Sequence, residues 1–324
     1  MSLLRFIYSQ LFVNLPYPEG SYEGKTVIVT GSNVGLGKEA ARHFARLGTS
    51  TLILAVRNIE KGEAAKKEIE QSTGCDGDVI KVWQLDLSNY SSVRSFAAKV
   101  NKELKRVDIA ILNAAIATYK YRTAEDNEET ITVNVVSTFL LALLLLPTLK
   151  QTAQKFNTRP TMSITSSEVH GFTPFKEKSA PEGQIFTTLN GKETADMNDR
   201  YQVSKLLEIF ALRAMVERRP ASDIPVTINC MNPGFCHSEL TREGHWRFAL
   251  LKALLARSTE QGSRTLIHAV SQGPETHGQY LSDCKIEDPA PLVLSEEGKK
   301  AQVRVWDELV QKLEAIQPGV TSNL

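Results

Sequence analysis

The sequence predicts one α/β domain built on a doubly wound parallel sheet, and three observations carry that prediction. Short β-branched runs alternate with helical patterns along most of the chain. The first of these runs ends in a glycine-rich turn that opens a helix. The third is size: 324 residues with 42% hydrophobic content can bury a large core, and no linker-like stretch divides them.

Residues 1–20 form a separate amphipathic segment. Leu3, Ile7 and Leu11 recur at helical spacing with Leu4, Phe6 and Phe12 beside them, until Asn14 and Pro16 interrupt. The run is shorter than the roughly 20 residues a bilayer requires and lacks the small-residue cleavage site of a secretory signal. Two placements stay open for it: packing on the protein near a substrate mouth, or weak contact of residues 1–14 with a membrane surface. Residues 21–324 are then a single domain with strands at 26–30, 51–56, 79–84, 107–112, 161–165 and 226–230, and a short one near 279–281. Strands separated by helices give a Rossmann-type sheet covered on both faces, with ligands bound at the carboxyl ends of the strands. The apolar run 139–146 ends at Pro147 and is too short to span a membrane. It is expected as a buried helix packed on the sheet or on a partner subunit, so a homodimer is one expected assembly.

Chemistry enters at the first turn. Residues 26–30 are strand-like and lead into Gly31, Ser32, Asn33, Gly35, Leu36 and Gly37, after which Ala41, Phe44, Ala45 and Leu47 mark the apolar side of a helix that Gly48 stops. Glycines let the backbone turn sharply and approach a pyrophosphate, which the free N–H groups of the helix start can bind. A second device is the pair Tyr201 and Lys205, four residues apart and therefore on one helix face. A free phenol ionises near about pH 10, and a neighbouring ammonium favours the phenolate, so the pair is a candidate general acid/base. Alone, such a pair is common in helices. At the end of the second strand Val56 stands where an NAD-selective site places an acid, and Arg57 follows. A guanidinium there suits a 2′-phosphate, which points to NADP(H), with Lys38 and Lys61 as secondary contributors.

The Thr-Gly-x-x-x-Gly-x-Gly pattern at 30–37 and the Tyr-x-x-x-Lys pattern at 201–205 resemble the short-chain dehydrogenase/reductase family, over about residues 24–285. Within it the chain looks most like the retinol-dehydrogenase-like branch and its fungal members of small-molecule metabolism. The resemblance implies that Asp86 and Leu87 hold the adenine, that Asn113, Ala114 and Ala115 border the cofactor, and that Pro233, Gly234 and Ser238 flank the nicotinamide. Ala115 departs from the usual glycine, where an added methyl would crowd the cofactor or shift the fourth strand, and Ser238 replaces a commoner threonine. It further implies that Asn134 anchors a water linking Lys205 to solvent and that Ser167, favoured over Ser166 by the Ser-Ser-x-x-His170 spacing, is the catalytic serine. Lys205 would also hold the nicotinamide ribose.

Ser167 and Tyr201 are farther apart than in the shorter members of the family, and the retinol-dehydrogenase-like branch has a comparable insertion. The added stretch, 171–200, carries Phe172, Phe175, Ile185, Phe186 and Leu189 and is expected over the active-site mouth. Residues 237–258, with Leu240, Trp246, Phe248, Leu250 and Leu251, are the expected substrate lid. An ordinary surface loop and a packed helix remain open for the two. As covers they imply a large apolar substrate.

A net charge of +1 gives no footprint for nucleic acid. Cys75, Cys230, Cys236 and Cys284 show neither metal spacing nor a disulfide framework, and His170, His237 and His245 read as solvent or lid residues, so no metal is expected. A reduced, cytoplasmic setting follows, peripheral on a membrane if residues 1–14 touch one. The leading expectation is an NADP(H)-dependent oxidoreductase that moves a hydride between nicotinamide and a carbonyl or alcohol of a hydrophobic small molecule, whether polyketide, terpenoid, steroid-like or retinoid-like. The alternatives are a non-catalytic NADPH-sensing module and a membrane-surface scaffold.

Overall fold

The structure, a computed structural model, describes residues 3–237, 240 and 254–324. Ser238 and most of the expected lid, including Trp246, Phe248, Leu250 and Leu251, lie outside the described residues.

Eight strands form the main sheet. In chain order the strands are β1 (Thr26–Thr30), β2 (Thr51–Val56), β3 (Ile80–Gln84), β4 (Ile109–Leu112), a small hairpin of β5 (Thr123–Ala124) and β6 (Asn127–Glu128), then β7 (Thr161–Thr165), β8 (Thr227–Asn232), β9 (Tyr280–Ser282) and β10 (Lys285–Glu287). The sheet order is β10-β9-β8-β7-β4-β1-β2-β3, parallel except for β10. β1 pairs with β2 on one side, Thr26 opposite Thr51, and with β4 on the other, Val27 opposite Ile109. The strand order therefore reverses between β1 and β4, and a crevice opens at their carboxyl ends. β1, β4, β7 and β8 are buried along their whole length, the pattern of a parallel sheet covered on both faces.

The helices are α1 (Leu3–Phe12), α2 (Gly35–Arg46), α3 (Ile59–Thr73), α4 (Tyr90–Glu103), α5 (Glu129–Ile131), α6 (Ser137–Phe156), α7 (Ile185–Asn190), α8 (Arg200–Arg218), α9 (Thr259–Ser271), α10 (Pro291–Leu294) and α11 (Glu296–Ile316). α2, α3 and α9 cover one face, where Phe44, Ile69 and Leu266 pack on Val27, Val29 and Leu54. α4, α6, α8 and α11 cover the other, where Phe96, Phe139, Phe210 and Trp306 join Ile28, Ile53 and Ile164. Helix starts follow local chemistry: Asn58, Asn89, Ser258 and Ser295 each accept a hydrogen bond from a first-turn N–H.

Four elements differ from the sequence reading. α6 does not stop at Pro147 but runs on to Phe156. The ring of Pro147 faces outward, and the Leu143 carbonyl it leaves without an N–H accepts from Asn323 Nδ2 at 3.2 Å. The helical stretch Glu129–Phe156 is long and apolar enough to cross a membrane, yet 89% of its most apolar window is buried in this core. Second, the insertion packs down instead of lying free over the mouth. Phe175, Ile185, Phe186 and Leu189 are core residues, Glu308 of α11 accepts from the N–H groups of Ile185 and Phe186, and Arg304 donates to the carbonyls of Lys178, Ala180 and Pro181. Only Phe172 of its five large apolar residues is exposed. Third, β10 is an antiparallel edge strand, turned by Asp283 and Cys284 with φ of 52° and 58°, the left-handed pair that matches hairpin twist. Fourth, α1 does not bury its apolar residues uniformly: Leu11 and Phe12 are 50% and 69% exposed, Phe6 and Ile7 are partly buried, and the polar Ser9 and Gln10 are buried.

Candidate active site

The glycine turn sits where β1 meets α2, at the sheet's reversal point. Gly31 has φ of 65°, and a Cβ there would stand 3.0 Å from the Ala114 backbone; one on Gly37 would stand 2.5 Å from the Gly31 carbonyl oxygen. Thr30 Oγ1 accepts from the N–H groups of both Asn113 and Ala114 at 2.9 Å, and Asn113 Nδ2 donates back to the Thr30 carbonyl at 3.0 Å. These bonds weld the end of β4 to the turn. Ser32 is fully buried and donates to the Val29 carbonyl, which braces the loop from below. Among the described residues the start of α2 has no side-chain cap, and its first turn holds no acidic residue, so its N–H groups and positive dipole end face the ends of β1 and β4 uncapped. The residues therefore fit a dinucleotide pyrophosphate.

Along the same edge, Asp86 accepts from the Ser88 N–H and hydroxyl, which shapes the turn after β3. Leu87 is buried in the core, so only its backbone can face a ligand. Ala115 is partly exposed on the segment after β4. Arg57 is exposed at the end of β2 and has no hydrogen bond or ion pair among the described residues, while Val56 beneath it is buried against α3. Lys38 is held by Glu68, and Lys61 is exposed.

Tyr201, Ser167 and Lys205 come together at the ends of β7 and α8. The Ser167 hydroxyl is within hydrogen-bonding reach of the Tyr201 phenol, and Lys205 Nζ lies 5.6 Å from the centre of the Tyr201 ring. Lys205 is buried and donates to the Thr165 carbonyl at 2.9 Å and to Glu208 Oε1 at 2.8 Å. The Tyr201 side chain reaches the surface in part, but its hydroxyl is enclosed. This changes the expected titration. Burial of the phenol outweighs the Lys205 ammonium, Glu208 opposes that ammonium further, and the Tyr201 pKa is raised rather than lowered. Tyr201 is thus a protonated donor at neutrality, with Ser167 able to hydrogen-bond the same oxygen of a ligand.

Asn134 lies in a π-helical turn, Thr132–Val136, a local widening that recurs at functional sites. Its Oδ1 accepts from Ile116 N at 2.9 Å, and its Nδ2 donates to the Ile116 carbonyl and to Ser204 Oγ, both at 2.9 Å. The side chain therefore fixes the segment after β4 against α8. Pro233 and Gly234 are set by Asn232, whose Oδ1 accepts from Gly234 N at 3.0 Å and Glu168 N at 3.1 Å, locking the Pro-Gly turn to the Ser167 strand end.

Sequence reasoning missed several supports. His170 is buried, not a solvent or lid residue: its ring accepts from Ala290 N at 2.8 Å through Nε2, so Nδ1 carries the proton and donates to the Ser167 carbonyl at 2.7 Å. Near Gly234, Arg257 Nη2 donates to the Ser9 carbonyl and to Asp283, and Ser9 Oγ donates to Asp283 Oδ2 at 2.6 Å. This buried polar pin clamps α1 over the Pro-Gly turn. A Cβ on Gly234, whose φ is 80°, would stand 2.7 Å from Arg257 Nη1 and 3.0 Å from Gln10 Nε2. The spacing of these residues across the chain, 9 to 283, gives no local signal. No cluster of metal-ligating side chains occurs among the described residues.

Burial takes the His170 pKa down to about 4, against the Ser167 carbonyl that favours its charged form. The unfolded chain then binds the extra proton between about pH 6.5 and 4, so the stability that neutral His170 supplies is complete above that window and lost on acidification. The stability difference between the parent protein and His170→Gln should shrink by about 3 kcal/mol from pH 7 to pH 4 in urea unfolding. A constant difference would contradict a neutral buried His170.

The family described as short chain dehydrogenase matches residues 25–157. The short chain dehydrogenase/reductase dmxR8 of Cryptosporiopsis sp. is 62% identical over 98% of this chain and 99% of its own length. Among solved structures, the fold is similar to 3-ketoacyl-(acyl-carrier-protein) reductase from Brucella melitensis complexed with NADH, with a TM-score of 0.60 and 19% identity over 81% of this chain and 97% of that one. It is also similar to the alcohol dehydrogenase of the archaeon Thermococcus sibiricus complexed with 5-hydroxy-NADP, with a TM-score of 0.57 and 21% identity over 80% and 95%.

Proposed function

Because the chain belongs to the short-chain dehydrogenase/reductase family, we propose that it is an NADP(H)-dependent oxidoreductase acting on a carbonyl or alcohol of a hydrophobic small molecule. The observation that carries this reading is the meeting of Ser167, Tyr201 and buried Lys205 at the strand ends beside an uncapped glycine turn. The bound dinucleotide supplies or accepts the hydride. Tyr201 gives a proton to the carbonyl oxygen in reduction, or takes one in oxidation, a contribution of about 10²- to 10⁴-fold in rate. Ser167 holds that oxygen with a second hydrogen bond. Lys205, kept by Thr165 and Glu208, sets the charge beside the phenol. Gly31, Gly35, Leu36 and Gly37 take the pyrophosphate, and Phe6 and Phe235, with ring centres 6.4 Å apart, offer an apolar wall beside the Pro-Gly turn. Incubation with NADPH and a panel of hydrophobic ketones should consume NADPH and yield alcohols; absence of turnover on every ketone by protein that binds NADPH would favour the non-catalytic module.

The choice of NADP(H) rests on Arg57, which is exposed and has no ion pair among the described residues, next to Val56 where an acid would stand. A charge-assisted bond to a 2′-phosphate contributes about 1.5–3 kcal/mol, or roughly ten- to hundredfold in affinity. Arg57→Ala should weaken NADPH by that factor and NADH little, measured by fluorescence titration. Equal loss for both cofactors removes the assignment.

A further inference from the structure

Lys205 does not stand alone. Glu208 follows it by one turn of α8, both side chains are only 2% exposed, and Nζ to Oε1 is 2.8 Å. With Thr165 as a second acceptor at 2.9 Å, two of the three ammonium N–H groups are taken, leaving one for the Tyr201 side. An ammonium held this way acts on the phenol as half of an ion pair, and the field of a pair falls off faster with distance than that of a single charge. The titratable groups facing Glu208 are Lys205 and Tyr201 on α8 and Cys230 on β8, with Ser166 bordering it from the end of β7 and Arg213 facing Cys230 from further along α8.

We propose that Glu208 is a positioning residue of the catalytic group: it fixes the Lys205 ammonium against the Thr165 carbonyl, partly neutralises it, and so keeps Tyr201 protonated as a donor for carbonyl reduction. This rests on the oxidoreductase reading for its consequence but not for its geometry. The titrations agree with it. Burial pushes the Glu208 carboxyl up to about 7 against the pull of Lys205, and Tyr201 is raised as well. Burial alone would depress Lys205, but Glu208 and Tyr201 together carry it above its ordinary range.

Glu208→Gln keeps the shape and removes the charge, leaving the ammonium uncompensated beside the phenol. Tyr201 should then ionise at lower pH by about one unit or more, the effect of a nearby opposite charge. The readout is ultraviolet tyrosinate absorbance of the full chain, with Tyr201 isolated by subtracting the same titration of Tyr201→Phe in each background. It needs no substrate, so its result stands apart from whether any ketone is reduced. A Tyr201 midpoint unchanged or raised in Glu208→Gln overturns the proposal. If that variant does not fold, Glu208→Asp, which keeps the charge but shortens its reach to Lys205, should show a smaller lowering, and no lowering there overturns the proposal equally. With a ketone in hand, the alkaline limb of kcat for reduction should move down by the same interval while the NADPH dissociation constant stays within about twofold, since Glu208→Gln removes no group assigned to the cofactor and keeps a partner for Lys205.

Discussion

Replacing Tyr201 with phenylalanine is expected to leave NADPH binding within a few-fold of the parent protein and to reduce ketone turnover by at least about 10²-fold. Phenylalanine keeps the ring and its packing over Lys205 and removes only the hydroxyl that meets Ser167. Ser167 and the backbone at the glycine turn remain, so binding and chemistry should separate. The direction of the Tyr201 shift adds a further expectation. A phenol raised above its ordinary range stays fully protonated at neutral pH and its phenolate is scarce there, so in the parent protein a proton donor for reduction is present at neutrality and alcohol oxidation should rise toward alkaline pH. Steady-state rates in both directions across pH, on an alcohol and ketone pair taken from the active panel, check this. Near-normal turnover by folded, NADPH-saturated Tyr201→Phe protein would sink the mechanism.

The fold was legible where backbone chemistry is local. The run from Thr26 to Gly37 combines β-branched residues with glycines at positions of forced geometry, and Gly31 and Gly37 prove to lie where a Cβ would strike backbone. The central strands β1 and β4 were readable because each is a β-branched or apolar run with both faces covered. Pro147 does not end α6: the Leu143 carbonyl that loses its N–H partner there accepts from Asn323, far along the chain, which no local pattern shows. The stripe on α1 shows only part of its docking. Leu3, Ile7 and Leu11 carry the helical period, but the helix is also tied down through Ser9, Arg257 and Asp283, polar residues whose pairing only the fold brings about. The same holds at the site. Tyr201 and Lys205 were visible by spacing, whereas Glu208, His170 and Asn232 look like ordinary polar residues until burial shows what each one holds.

The largest stability effect is expected at Arg200, next to the catalytic tyrosine. Its side chain is fully buried, with Nε 3.4 Å from Glu128 Oε2, Nη1 3.6 Å from Glu177 Oε1, and Nη2 donating to the Leu189 carbonyl at 2.8 Å. Glu128 in turn accepts from Thr130 N at 3.0 Å and Ile131 N at 3.3 Å, starting the helix that carries Asn134. One guanidinium therefore joins the start of α8, the insertion and the turn before α6. Arg200→Leu fills the volume but leaves two buried carboxylates without their cation, and breaking a buried ion pair from one side costs about 3–5 kcal/mol. For a chain of 324 residues that is a fall in Tm of about 4–7 °C. The sign of the pH dependence follows from Glu128. Burial already holds its carboxyl above the usual range, against Thr130 and Arg200, and removing the arginine raises it further. Protonation then relieves the variant more than the parent, so the gap between them should be larger at pH 8 than at pH 5. Adding Glu128→Gln to Arg200→Leu should recover part of the loss, because a neutral amide keeps the acceptor for Thr130 without a bare charge. Thermal unfolding of the three proteins at both pH values decides it: a loss under about 1 kcal/mol that does not vary with pH would mean the ion pairs add nothing beyond the packing that leucine replaces.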